Sequence, residues 1–179
     1  MFIGRLVFLK GYTGEQMIIC MLIITVLLVA ADQAIKFWAV SELSGSASRE
    51  FIKIAGNEIV NLTYTENTGA AFSFMSGQQW FTIGFASVAL IIFTLYMIKN
   101  YRESKMAMLF SVLVISGGIG NLIDRIRIGY VVDYIEVRLF RFAIFNFADI
   151  CVTVGIVLLL IYILFFFGKK PAGEKTNAE

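Results

Sequence analysis

The sequence predicts an all-α membrane bundle: four transmembrane helices with a small extracytoplasmic β element, forming one integral domain over residues 1–179. Three observations predict it. The 179 residues are 59% hydrophobic and only 16% charged, well short of the charge a soluble domain of this length carries on its surface. Four apolar runs are each long enough to cross a hydrocarbon core of about 30 Å. Two polar stretches between those runs alternate apolar and polar side chains at the period of a strand.

The first run covers about Met17–Trp38. Arg5 and Lys10 before it, and Val29-Ala30-Ala31 inside it, imitate a secretory signal with its cleavage site. The apolar pattern continues past Ala31 through Ile35 to Val40 and three more runs follow, so a span is expected here and not a cleaved leader. Cys20 follows Ile19, where a lipid-attachment cysteine would need a small residue. Cys20 and Cys151 both lie inside apolar runs and read as small buried thiols. Histidine is absent, which excludes an H-E-x-x-H metalloprotease, and no metal or other cofactor is expected. A net charge of +2 gives no indication of nucleic acid.

An external segment, residues 39–79, comes next. Phe51-Ile52-Lys53-Ile54 and Ile59 to Thr65 are strand-like, and Gly56-Asn57 reads as the turn of a hairpin on the membrane surface. Asn61-Leu62-Thr63 is formally a glycosylation sequon but carries little weight without a secretory eukaryotic context. Asn67-Thr68-Gly69-Ala70-Ala71-Phe72-Ser73 leads back to the membrane with small residues that permit close backbone approach. The second and third runs, about Trp80–Ile98 and Met106–Ile123, are joined by a short link holding Lys99, Arg102 and Lys105. A second external stretch, residues 124–146, is again β-like, as in Glu136 to Arg141, and the fourth run covers about Phe147–Phe167. A polar tail from 168 to 179 contains the only proline and is expected to be disordered.

The basic residues before the first run, in the link and after the fourth run place both termini in the cytoplasm. That orientation sets depth. At a rise of about 1.5 Å per residue, Asp32 lies roughly 22 Å above the cytoplasmic start of its span, with Asn121 and Asp124 similarly high in theirs. Asp149 begins an inward-running helix and so starts at the outer edge. Polar groups from separate segments thus converge near the outer face, at a level where ionisable side chains are expensive unless they do something.

Asp32 and Lys36 are four apart and can pair as an anchor for the end of their helix. Gly117, Gly120, Asn121 and Asp124 share one small, polar face of the third helix, and Asp124 with Arg125 reads as architecture. Asp133 and Asp149 have no basic neighbour in sequence, and Asn146 precedes Asp149 by three residues on the same face. Two carboxyl groups in a low-dielectric pocket do not both ionise easily, so one keeps a proton while the other becomes a base, a pair able to hydrolyse an amide with water. A proton or cation pathway, or helix capping by Asp149, fits the same spacing.

Asp32-Gln33-x-x-Lys36, Asn67-x-Gly69-x-Ala71-Phe72, Gly117-Gly118-x-Gly120-Asn121-x-x-Asp124-Arg125, Val132-Asp133-Tyr134 and Phe145-Asn146-x-Ala148-Asp149 run in order over some 120 residues. Together they resemble the ordered motifs of the lipoprotein signal peptidases, or signal peptidase II. That resemblance implies a four-helix bacterial membrane aspartic endopeptidase, with Asp133 and Asp149 catalytic. Asn67, Gly69, Asn121, Asp124, Arg125, Asn146, Asp32 and Lys36 fall on supporting or substrate-binding positions. It further implies cleavage of lipid-modified prolipoproteins on the N-terminal side of a diacylglyceryl-cysteine, with water as nucleophile and no metal. The partners expected are those substrates and membrane lipid, the chain acting as a monomer in the bacterial inner membrane with its site towards the outer face. The competing reading is a proton-coupled carrier or channel using the same acids. Against it, the acids cluster at one depth and no proline breaks the spans. The residues before Met17 run longer than the family pattern, and no role is read for them.

Overall fold

A computed structural model describes residues 14–69, 79–100 and 104–166. Seven elements follow in order: α1 (Gly14–Leu43), β1 (Arg49–Ile54), β2 (Asn57–Asn67), α2 (Gln79–Asn100), α3 (Lys105–Ile128), β3 (Val131–Val137) and α4 (Phe147–Phe165). All four helices are long and apolar enough to cross a membrane. The expectations for residues 1–13, Ala70 to Ser73, Arg102 and the tail after Phe166 fall outside the described residues.

The helices turn most of their large side chains outward: Leu22, Val26, Leu27, Phe85, Ile92, Leu160 and Leu164 are all exposed. Hydrocarbon solvates these faces as well as protein would, so close packing and polar contacts decide how such helices associate. α3 is the central helix, packed on α1, α2 and most extensively on α4. Its glycines permit that approach. A Cβ on Gly117 would collide with the Ala148 carbonyl oxygen of α4, and one on Gly120 would come within 2.5 Å of Asp32 Oδ2 on α1. From the other side, Gly155 of α4 lets the Phe110 backbone and Val114 of α3 come close.

α1 and α3 extend past the spans read from hydropathy, to Leu43 and Ile128, because chain stops and not apolar content end them. α3 stops at Gly129, whose φ of 90° terminates a helix in the left-handed region. It starts at Ser104, whose Oγ accepts from Ala107 N–H at 3.2 Å.

The external β element is a three-stranded antiparallel sheet in the order β1-β2-β3. The hairpin expected within residues 51–65 is present, but its turn is Ala55-Gly56, one residue earlier than Gly56-Asn57. Asn57 pairs with Ile54. Ala55 (φ 51°) and Gly56 (φ 84°) both adopt positive φ, the two-residue turn whose twist suits the flanking strands. β3 also lies N-terminal to the alternation read over Glu136 to Arg141: pairing with β2 over Val131 to Val137 makes the strand, and Leu139, Phe140 and Phe142 beyond it are exposed. A cluster of Ala39, Leu43, Val132 and Tyr134, with Ile35, Leu62 and Phe147 against it, ties the sheet to the ends of α1 and α4.

Candidate active site

Below that sheet, at the same end of the bundle, α1, α3, α4, β2 and β3 each contribute a polar side chain to one buried network. Asp133 lies on β3, next to the buried Val131 and Val132, and is itself only 2% exposed. Strand alternation turns its carboxyl away from Tyr134, which packs in the apolar cluster, and towards the helices. Its Oδ1 accepts from Asn146 Nδ2 at 2.6 Å and its Oδ2 from Asn67 Nδ2 at 2.9 Å. Asn67 closes β2 opposite Val131, and its own Oδ1 accepts from Gly69 N–H at 3.0 Å.

Asp149 is held by the start of α4. Asn146 is the N-cap: its Oδ1 accepts from Asp149 N–H at 3.0 Å, while Asp149 Oδ2 accepts from Asn146 N–H at 3.1 Å. This reciprocal capping box satisfies two otherwise orphaned backbone donors. Capping by Asp149 is therefore real, yet it uses only one carboxylate oxygen. The other, Oδ1, accepts from Asn121 Nδ2 at 2.8 Å. Asn146 Nδ2 also reaches Asn121 Oδ1 at 3.1 Å. One asparagine thus touches both aspartates, and each carboxyl group is fixed by two N–H donors.

Charge around the pair comes from residues distant in sequence. Lys36, 2% exposed on α1, places its ammonium 3.0 Å from Asp32 Oδ2, 2.9 Å from Asp124 Oδ2 and 2.9 Å from Asn121 Oδ1. The Asp32–Lys36 pair read from the sequence is present. Asp124 and Arg125, read together as architecture, hold different parts of the region: Asp124 is bound by Lys36, by Gln33 Nε2 at 3.0 Å and by Val132 N–H at 3.2 Å. Adjacent residues on a helix point about 100° apart, so Asp124 and Arg125 leave α3 in different directions. Arg125 instead donates to the carbonyls of Asn121 at 3.3 Å and Gly69 at 3.1 Å, tethering the external segment just beyond β2 to α3. The fields of Asp133 and Asp149 reach its guanidinium.

Burial raises the Asp133 carboxyl to about 6, against the stabilising hydrogen bond from Asn67. The nearby Asp149 charge adds to the rise, while the Asn146 hydrogen bond and the Lys36 charge oppose it. Burial likewise pushes the Tyr134 hydroxyl up; that hydroxyl accepts from Phe147 N–H at 3.2 Å, a further backbone donor at the start of α4.

All ten residues singled out in the sequence thus belong to this one network. Gln33 and Tyr134 stand within the motifs but were given no role there. Gln33 donates to Asp32, Asp124 and the Gly120 carbonyl, and the available signal was a carboxamide beside a carboxylate inside an apolar span. Among the described residues no group of three or more His, Cys, Asp or Glu side chains converges as a metal site. Cys20 and Cys151 are free thiols.

An acid pair bridged by an asparagine at one end of a membrane bundle can bind water and exchange a proton. Residues 24–165 match the family described as Signal peptidase (SPase) II. Among similar proteins is a lipoprotein signal peptidase of Streptococcus pyogenes serotype M1, 45% identical over 137 residues, 76% of this chain and 87% of that protein. Another is a lipoprotein signal peptidase of Clostridioides difficile (strain 630), 40% identical over 149 residues, 83% of this chain and 97% of that protein. A solved structure described as a bacterial membrane enzyme superposes with a TM-score of 0.72 at 28% identity, covering 89% of this chain and 94% of that one. A second so described also gives 0.72, at 30% identity over 82% and 94%. With most of its length matched by the family and by relatives 40% and 45% identical, the chain belongs to the signal peptidase II family.

Proposed function

We propose that this chain removes the signal peptide from lipid-modified prolipoproteins, cutting on the N-terminal side of the diacylglyceryl-cysteine, with Asp133 and Asp149 as the catalytic pair. The observation that carries the assignment is the bridging Asn146, bound to Asp133 Oδ1 through its side chain and to Asp149 Oδ2 through its backbone. Asp133, raised to about 6 by burial, is the member that holds a proton. Asp149, at the positive end of the α4 dipole, is the base.

A water between the two gives a proton to Asp149 as its oxygen attacks the scissile carbonyl carbon. Asp133 donates its proton towards the carbonyl oxygen, so the tetrahedral intermediate is neutral. Collapse then breaks the C–N bond as Asp149 passes its proton to the leaving amine and one hydroxyl of the diol returns a proton to Asp133, which re-forms the carbonyl and restores the starting pair. Asn67, Asn121 and Asn146 hold both carboxyls in place throughout, the kind of fixed dipole array that needs no reorganisation during reaction.

The substrate's apolar signal segment and its lipid would present the cleavage site near the outer membrane surface. Lys99 and Lys105, at the ends of α2 and α3 away from the acids, and the basic residues of the sequence before the first span and after the fourth support cytoplasmic termini, hence a site facing outward from the bacterial inner membrane. A monomer suffices, since every group in the network comes from one chain. A proton-coupled carrier is not favoured, for the relatives described above are lipoprotein signal peptidases. The test is incubation of the purified protein with a lipidated precursor and with its unlipidated form, reading the cut position by mass. Cleavage of the lipidated form before the modified cysteine is expected. Cleavage of neither form removes the proposal.

A further inference from the structure

The Asp32–Lys36–Asp124 cluster has a property that a helix anchor does not require. Asp32 Oδ1 accepts from the N–H of Ala148 at 3.1 Å, and Ala148 immediately precedes Asp149. Asp124 Oδ2 accepts from the N–H of Val132 at 3.2 Å, and Val132 immediately precedes Asp133. Each carboxyl group of the cluster therefore grips the backbone N–H of the residue just before one member of the pair, and Lys36 Nζ lies between them at 3.0 and 2.9 Å. The third hydrogen of the ammonium goes to Asn121 Oδ1 at 2.9 Å. With Lys36 and Asn146 both donating to that oxygen, the amide of Asn121 has one permitted orientation, its N–H directed at Asp149. Turning it over would set donors against the ammonium and an oxygen against a carboxylate.

A buried ion cluster is weak support for stability, because desolvation consumes most of the Coulombic gain and apolar replacements are often as stable. Lipid-facing helices can be joined by packing alone, as Gly117 and Gly155 already join α3 and α4. β3 and the start of α4 are also joined by the Ile135–Phe145 bridge, by Phe147 N–H to the Tyr134 hydroxyl and by Asn146; what the cluster adds is one charged origin for the two N–H groups that directly precede the acids.

We propose that Asp32, Lys36 and Asp124 form a positioning clamp, in which Lys36 sets the separation of Asp133 and Asp149 through Val132, Ala148 and Asn121. The clamp rests on the assignment of those aspartates as the reacting pair. It touches neither water nor substrate. Its charge is also felt: the charges of Asp149 on α4 and Lys36 on α1 act on Asp133, and Arg125 on α3 lies within the fields of both acids. Removing the ammonium removes a charge that favours the ionised form of Asp133.

Two variants test this on the full chain with a lipidated precursor, each with a thermal melt, kcat, KM and a pH profile. Lys36→Met with Asp32→Asn removes one cation and one anion together and leaves an amide oxygen for Ala148 N–H. The expected result is a folded protein whose kcat falls by about 100-fold, the loss that follows a misplacement near 1 Å. Its KM should stay within about threefold, and the alkaline limb of its profile should move to higher pH. Lys36→Arg keeps the charge but not the length, so kcat should fall about tenfold with the limb unmoved. Should the double variant fail to fold, Lys36→Arg decides. Wild-type kcat in either folded variant, or an unmoved limb in the folded double variant, overturns the clamp. Failure of the pair assignment itself shows elsewhere, as turnover in Asp133→Asn or Asp149→Asn.

Discussion

Asn67→Leu isolates one hydrogen bond to the proposed proton holder. Asn67 Nδ2 reaches Asp133 Oδ2 at 2.9 Å, and this bond is the foremost influence holding that carboxyl down against the rise caused by burial. A hydrogen bond to a charged group contributes about 1.5–3 kcal/mol. At about 1.4 kcal/mol per pH unit, its loss should raise Asp133 by about one to two units. Asn67 is only half-buried, so water replaces part of the lost bond and the lower figure is expected. Since the protonated Asp133 is the active form, kcat/KM of the wild type should fall as pH rises through about 6. In Asn67→Leu that alkaline limb should lie about one unit higher. Leucine matches asparagine in size but also loses the contact with Gly69 N–H, so the plateau rate will drop; the limb position does not depend on the plateau. The assay is initial cleavage of a lipidated precursor from pH 5 to 9. A limb that stays where the wild type has it, or moves to lower pH, refutes Asp133 as the proton holder.

Stability should carry the same signature. A carboxyl raised from 3.8 to about 6 in the folded protein favours folding fully below about pH 3.8 and loses that contribution as pH rises through about 6, a swing of about 3 kcal/mol. The melting temperature of wild type relative to Asp133→Asn should therefore climb as pH is lowered from 7 to 4; a constant difference counts against the shift. Gly117→Ala drives a methyl into the Ala148 carbonyl oxygen and to 2.8 Å from Val152 and should destabilise by about 1–3 kcal/mol while cutting activity. Gly84→Ala, with nothing within 4 Å, should be neutral or stabilising by up to about 1 kcal/mol; equal melts for the two would show that α3 and α4 are not in close contact there. A reporter fused after Lys105 should respond from the cytoplasm and one inserted near Ser46 from outside, and the same response from both would remove the outward-facing site.

The helices were legible because a span announces itself by length and apolarity, and the first hairpin because Gly56-Asn57 interrupts two strand-like runs. The turn was misread by one residue since Gly56-Asn57 and Ala55-Gly56 both offer glycine, and only the pairing of Ile54 with Asn57 decides between them. β3 was misplaced for a similar reason: its strand is set by partners in β2, 70 residues away, and Val131 to Tyr134 are buried on both faces and show no alternation. Within the site, Asp133, Asp149 and their asparagines could be found as polar groups in greasy surroundings. Which of them touch could not. The i,i+4 spacing of Asp32 and Lys36 is visible in the sequence, whereas Lys36 with Asp124, and Asp32 with Ala148 N–H, join residues 88 and 116 positions apart.

The most direct test of the reading is single-turnover cleavage of a lipidated precursor by purified Asp133→Asn, Asp149→Asn and Asp124→Asn, each with a thermal melt. Asp133→Asn and Asp149→Asn preserve shape but remove the exchangeable carboxyl proton, so neither should turn over while both remain folded. Asp124→Asn deprives Lys36 of a buried partner and loosens the hold on Val132, so it should lower the melting temperature and slow turnover without abolishing it. Full activity in either Asp133→Asn or Asp149→Asn contradicts the catalytic pair, and an inactive Asp124→Asn with a wild-type melt contradicts its exclusion from the chemistry.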